Sequence, residues 1–322
     1  MRGLLLLNLL TLLFGSAFPP RRSPSRAAHS LSSSFSLSCS LAPSLTCSPS
    51  ANIAVVKEAQ EGLGPWAFSA GRFALAALAF SPCLPAALSS SRTLRAGAEL
   101  GAIAAAGYAC QAWGLQSTSA SHTAFLGSFT VLLVPFLAGL TGRTIPLRTW
   151  AATGVALLGI CALELGGVDA GGTHQAMLQV GSLSLPAAAC GDVASFLSAA
   201  LFALQLLRTE YHCGRLGEGG APPLIAAQLA TLALLFGGLA VAVPTPAMDA
   251  LLSSAEGPEA LLSALPLKEW LLTGVVSTAG ALWAELEALR EVSAPDAALI
   301  YATEPVWGAV TGASKPPAMF FR

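Results

Sequence analysis

The sequence predicts an all-α, multi-pass membrane protein of two inverted repeats of five transmembrane helices, with the tenth helix missing. Three observations predict it. Of the 322 residues, 54% are hydrophobic and only 10% charged, whereas a soluble domain carries about a quarter charged residues. The apolar residues fall in regular runs on the scale of a bilayer. One plan also occurs twice, at Gly101 to Gly142 and at Gly274 to Gly312. Each copy has a Gly-spaced apolar helix with Trp near its end, a Ser-Ala turn, and a Pro-bearing apolar helix. Gly101 and Gly107 match Gly274 and Gly280; after a one-residue slip, Ser119-Ala120 and Ala124 match Ser293-Ala294 and Ala298.

Residues 1–16 hold one Arg and an apolar run of about thirteen residues, roughly 20 Å as a helix and too short to span alone. They read as the first part of helix one or as a signal peptide ending at Gly15-Ser16-Ala17. Residues 17–51 are rich in Ser, Pro and Ala, carry three Arg and no acid, and cannot bury a core. Three explanations compete for them. A signal-plus-transit leader would place the protein in a plastid envelope, against the plasma membrane or another endomembrane. A genuine loop leaves neither flank able to cross. The favoured reading is an insertion inside helix one, because Ser16 joined to Asn52 restores an apolar run of about eighteen residues, or about 27 Å. On that reading Leu4 to Ser16 and Asn52 to Val56 are helical around a disordered excursion.

The remaining helices follow in order. Trp66 to Phe80 is ended by Pro82 and Pro85. Leu100 to Gln116, Ala120 to Gly139 and Trp150 to Leu165 complete the first repeat, residues 52–166. A linker, 167–190, contains a polar loop. Asp192 to Leu207, Leu224 to Val243, Trp270 to Leu289 and Ala294 to Thr311 form the second repeat, residues 191–322, truncated before a tenth helix. Trp66, Trp150 and Trp270 open their runs, where an indole ring suits the headgroup level. Ser293-Ala-Pro295-Asp296 reads as a helix start: N-cap, Pro in the first turn, and an acid at the positive end. Gly97-x-x-x-Gly101 and Ala152-x-x-x-Ala156 offer small faces for helix packing.

Arginine sets the topology. With the first run counted and the segment 17–51, which carries Arg21, Arg22 and Arg26, set aside as an insertion, loops after helices two, four, six and eight hold Arg92, Arg95, Arg143, Arg148, Arg208, Arg215 and Arg290; the odd loops hold only Lys57 and Lys268. The even loops and the N-terminus therefore face the cytoplasm or its equivalent. An odd number of helices per repeat turns the second copy over, which is the inverted architecture of many secondary transporters. A net charge of −1, with no basic cluster along the chain, excludes a nucleic-acid partner. The seven cysteines show no C-x-x-C pair, and Cys83, Cys110, Cys161 and Cys190 read as small core hydrophobes.

Several segments together resemble the drug/metabolite transporter superfamily of the EamA-domain type. Ala70-Gly-Arg72-Phe73 resembles the opening of its second helix, SASHTAFLGSFTVLLVP its fourth, Gly191-Asp192-Val-Ala-Ser-Phe-Leu its sixth, and Glu304-Pro305-Val306 its ninth. The resemblance implies a ten-helix carrier with two inverted five-helix halves around a central cavity, moving small organic solutes by alternating access. This chain departs from the pattern in ending after helix nine and in lacking an acid after helix four, at Thr141-Gly142-Arg143.

Acidic residues in apolar helices face a protein interior or a watery cavity, so the candidate substrate-binding residues are Gln111, Trp113, Trp283, Glu285, Tyr301 and Glu304. Pro305 removes a backbone N–H and frees the Tyr301 carbonyl beside Glu304. Glu304 reads equally as a cavity carboxylate and as a structural anchor. Glu285 and Glu287 point to different sides of their helix, so at most one faces a cavity. Glu287, Arg290 and Glu291 read as a solvated pairing. Trp113 and Trp283 can stack a flat or cationic solute or pack against lipid, the commoner role for either alone. Gln111 and Tyr301 have polar ends that need partners. Arg72, near a helix end, is expected to snorkel to the interface. The histidines show no ligand spacing, and no metal, nucleotide or covalent cofactor is expected. The partners are a small-molecule substrate and the lipid bilayer, with a second copy of the chain a further candidate. The rival classes are a membrane-embedded enzyme, for which H-E-x-x-H, G-x-S-x-G and a complete G-x-G-D are all missing, and a non-transporting scaffold.

Overall fold

The computed structural model describes residues 56–60, 62–166, 177–180, 183–215, 220–246, 248, 253, 265–290 and 292–301. Expectations for residues 1–51, for most of Asn52 to Val56, for the polar loop at 167–175, and for everything beyond Tyr301 lie outside these.

Helix α1, Pro65–Ala79, begins with Pro at the first helical position, where a missing N–H costs nothing. It ends as the sequence predicts, yet the chain does not leave the helical direction entirely. A 3₁₀ turn at Ser81–Cys83 and a short α2, Leu84–Leu88, each take a proline in their first turn and continue at 57° to α1. Helix α3, Ser91–Ser117, starts well before the predicted Leu100 because Ser90 caps it, its Oγ accepting from the Thr93 N–H at 3.3 Å. The predicted fourth helix is two pieces, α4 at Ala120–Ser128 and α5 at Thr130–Leu140, meeting at Phe129. Thr130 Oγ1 donates to the Gly127 carbonyl at 2.7 Å and lies 3.3 Å from that of Ala199, a side-chain bond of the kind that bends a helix.

Helix α6, Leu147–Gly166, is followed by an antiparallel hairpin, β1 Met177–Val180 paired with β2 Leu183–Pro186. This hairpin lies in the stretch expected as a linker, and it is strand in a chain whose fold class the sequence predicts as all-α. Helices α7, Ala187–Cys213, and α8, Ala221–Ala242, come next. The predicted Trp270–Leu289 helix is a composite: α9 at Leu267–Trp270, a π-helical segment at Leu271–Gly280, and α10 at Ala281–Ala288. Two threonines mark the change of pitch. Thr273 Oγ1 donates four residues back to Glu269 O at 2.6 Å, whereas Thr278 Oγ1 donates five residues back to Thr273 O at 2.7 Å. Helix α11, Ala294–Tyr301, starts where predicted. Ser293 Oγ accepts from the Asp296 N–H at 3.4 Å and donates to Asp296 Oδ2 at 2.6 Å. Ser119, which the sequence pattern matches to Ser293, caps α4 through the His122 N–H at 3.2 Å.

Helices α3, α7 and α8 form the centre, with α1 on α8 and the π segment on α1. Gly97 and Gly101 let α3 close on Ala227 and Thr231 of α8, the small-residue contact by which membrane helices associate. Ala152 is exposed, so the second predicted small face is not such a contact. Trp270 is also not an interfacial ring. It is 9% exposed and sits among Val56, Leu63, Phe68 and Leu115, because Gly71 leaves a notch for it on α1.

Among the described residues, three stretches are long and apolar enough to cross a bilayer, His122–Leu140, Ala189–Cys213 and Ala221–Ala242; the bent α1–α2 pair makes a fourth if counted as one span. Leu78, Leu147, Leu158, Leu234 and Val241 point outward with most of their surface uncovered, as lipid-facing side chains do. The chain is an integral membrane protein.

Candidate functional site

The central site begins at a close backbone contact. Gly274 lies against the carbonyl of Arg72, and Gly71 against the ring of Trp270, so the π segment meets α1 where Arg72 leaves the helix. Short π stretches recur at functional sites because they shift the side chains that follow. Here the element that follows carries Glu285.

Arg72 is 2% exposed. The snorkelling expectation is therefore overturned: α1 and its bent continuation hold Arg72 away from either end, under the π segment. Its Cζ lies 4.4 Å from the centroid of Phe73 and 5.0 Å from that of Tyr108 on α3, a cation–π arrangement. Among the described residues no carboxylate pairs with it, and its Nε has no acceptor. The aromatic wall continues through Phe73 to Phe236 on α8 (4.8 Å between centroids) and through Tyr108 to Phe202 on α7 (4.9 Å). Phe73 and Tyr108 are themselves 5.0 Å apart.

Glu285 on α10 is half-buried and shares a hydrogen bond with Tyr301 on α11. Tyr108 lies within electrostatic reach of both the Arg72 guanidinium and the Glu285 carboxylate. The site thus has a cationic side, an acidic side and an aromatic wall between them.

Of the predicted residues, the structure brings Glu285 and Tyr301 together. Gln111 is half-buried on α3, one turn from Tyr108. Trp113 and Trp283 are 48% and 46% exposed. Glu304, Pro305 and Glu291 lie outside the described residues. Glu287 is exposed and pairs with Arg290 at 3.2 Å, the solvated pairing expected from their spacing. Sequence reasoning missed Tyr108, Phe73, Phe202 and Phe236. The available signal was the unusual pairing of an arginine with an aromatic in an otherwise apolar run, Arg72-Phe73.

Both ends of the α3–α7 pair carry polar bridges. At one end Glu99 of α3 takes Arg208 on Oε1 and His212 on Oε2, the latter at 3.2 Å, both from α7; Arg143 Nη1 reaches Glu210 Oε2 at 2.6 Å. At the other end His122 Nδ1 lies 3.1 Å from Asp192 Oδ1. There Thr118 and Thr123 hydroxyls meet at 2.9 Å, and Lys57 Nζ donates to the Thr118 carbonyl at 2.7 Å. The charged partners in these ion pairs are partly exposed, so each ion pair is worth about 0.2–1 kcal/mol. Glu99→Gln is expected to speed amide exchange in the last turns of α7 by about two- to fivefold. Unchanged exchange, measured by mass spectrometry in detergent, would show that the bridges hold nothing.

Comparison with known proteins bears on the first half of the chain. Residues 39–164 match the model of the EamA-like transporter family. No curated protein matches. Six solved chains match in structure. One, described only as the crystal structure of a protein, aligns at 15% identity with a TM-score of 0.52, over 83% of this chain and 88% of that one. At that identity the likeness shows the fold alone.

Proposed function

We propose that this chain, which carries an EamA-like transporter segment over residues 39–164, moves small organic solutes across the bilayer through the site between Arg72 and Glu285. Members of that family are transporters rather than enzymes, and the coarse reading of a membrane transporter rests on that match. The finer reading is ours. The observation that carries it is the buried Arg72 without a carboxylate partner among the described residues. A cation in a low-dielectric interior is costly unless paired, and a transported anion can pair with it.

Arg72 then takes the anionic group of the solute, Phe73 and Tyr108 flank its body, and Glu285 with Tyr301 accepts and donates hydrogen bonds at the other end. A solute with an acidic group and a donor such as an amine or hydroxyl fits both sides. The proposed cycle is alternating access between inverted halves, residues 52–166 and 191–322, joined by 167–190. The bridges at Glu99 and at His122 make and break at opposite ends as the halves rock.

The test is uptake of labelled solutes into proteoliposomes. Saturable flux is expected, competed by solutes bearing a carboxylate and not by their decarboxylated analogues. Glu285→Gln should lower flux about tenfold or more, the scale of one charge-assisted hydrogen bond, while leaving the aromatic wall intact. Absence of saturable flux for every anionic class, in folded protein, would return the chain to the scaffold or enzyme alternatives.

A further inference from the structure

A hollow edged by charged side chains lies away from the central site, where the start of α3 meets the end of α7. Its volume is about 700 Å³, and Arg92, Arg95, Glu99, His212 and Arg215 line it. Topology alone accounts for arginines in these loops, but topogenic charges need only be in water, and here they converge on one hollow from two elements. Nor does the acid in the hollow neutralise them, since both Glu99 oxygens are engaged by Arg208 and His212.

The donors that remain are available. Arg92 donates to no described residue. Arg95 uses only its Nε, to the Ser91 carbonyl at 3.3 Å. Arg215 lies over the Tyr211 ring at 3.7 Å, which orients its guanidinium without consuming the N–H groups. Arg92 and Arg95 also stand in the first turns of α3, a helix with no acid in its first turn. Cations are disfavoured at this positive helix end, and a bound anion removes the conflict while gaining the helix N–H groups.

We propose that this hollow binds a phosphate-bearing anion. Guanidinium forks suit planar or tetrahedral oxyanions, and phosphate presents more acceptor oxygens to converging arginines than a carboxylate does. The phosphate can come from a phospholipid headgroup at the membrane surface or from a soluble phosphate.

The experiment measures the melting temperature of the full chain in phosphatidylcholine nanodiscs with inorganic phosphate added, and separately with phosphatidylglycerol in the lipid. A ligand of the folded state raises it by mass action. Arg92→Gln, at an exposed position, should weaken the apparent phosphate affinity about tenfold, as expected for a lost charge-assisted hydrogen bond. The Arg92→Gln/Arg95→Gln/Arg215→Gln chain should abolish stabilisation, and Arg148→Gln should not change it. A response to phosphatidylglycerol alone assigns the site to lipid, and a response to inorganic phosphate alone assigns it to a soluble ligand. No response to either overturns the proposal, as does an equal loss in Arg148→Gln, which would mark general surface charge. If the triple variant melts early without ligand, Arg92→Gln against Arg148→Gln decides alone.

Discussion

Gly274→Ala is expected to lose about 3 kcal/mol of stability, the upper end of the cost of overpacking, and with it most of the folded protein. The added Cβ would overlap the carbonyl oxygen of Arg72 and press on the carbon behind it. A flexible side chain can rotate away from such a contact; a helix backbone cannot. Relief requires α1 and the π segment to separate, and that opens the notch in which Trp270 sits against Gly71. The matched control is Gly237→Ala on α8, where nothing lies within 4 Å of the new methyl. Alanine there should be neutral or slightly stabilising, since it is the better helix former by about 1 kcal/mol. Thermal unfolding of both variants in the same detergent reads the difference. Equal melting temperatures would mean that the backbone contact holding Arg72 inside is slack.

Arg72→Met should move stability and transport in opposite directions. Methionine keeps much of the length and the contact with Phe73 and Tyr108, through favourable sulfur–aromatic packing. It removes a buried charge for which no carboxylate partner stands among the described residues. Replacing buried charges by apolar groups of similar volume is often neutral or stabilising by about 1–4 kcal/mol. If Arg72 is there to pair with a transported anion, the same change should cut uptake on the order of a hundredfold, because breaking a desolvated charge pair commonly costs several kcal/mol. Arg72→Lys should fall between, keeping the charge and losing the planar fork that stacks on the rings. A purely structural arginine predicts the reverse for Arg72→Met, lower stability with transport retained in whatever protein folds. Melting temperature and uptake measured on one preparation separate the two readings.

Much of this molecule was legible along the chain. Composition established a membrane protein, since so few charges cannot surround a soluble core. Several helix starts were readable from a cap or proline in the sequence, at Pro65, Ser119 and Ser293, whereas the Ser90 cap of α3 was not read. The pairing of Glu287 with Arg290 followed from helical spacing, as did the different sides of one helix taken by Glu285 and Glu287, because both depend only on positions within that helix. The Glu285–Tyr301 hydrogen bond joins two elements, but they are neighbours in the chain and both had polar ends to satisfy.

Contacts between elements distant in sequence were decided by the tertiary structure alone. Arg72 and Trp270 were both assigned to the interface by their position in a run, and both are buried, because Gly71 and Gly274 allow two backbones to meet where larger residues would hold them apart. The break at Phe129 depends on a carbonyl of α7 that no local pattern contains. The chain shows no basic cluster when read in order, yet Arg92, Arg95 and Arg215 share one hollow, because α3 and α7 run antiparallel and bring the start of one to the end of the other. Periodicity and capping act within a few residues, so sequence determined which segments are helices and which of their faces are apolar. Which charges end up buried was set by how closely the glycine faces let those helices approach.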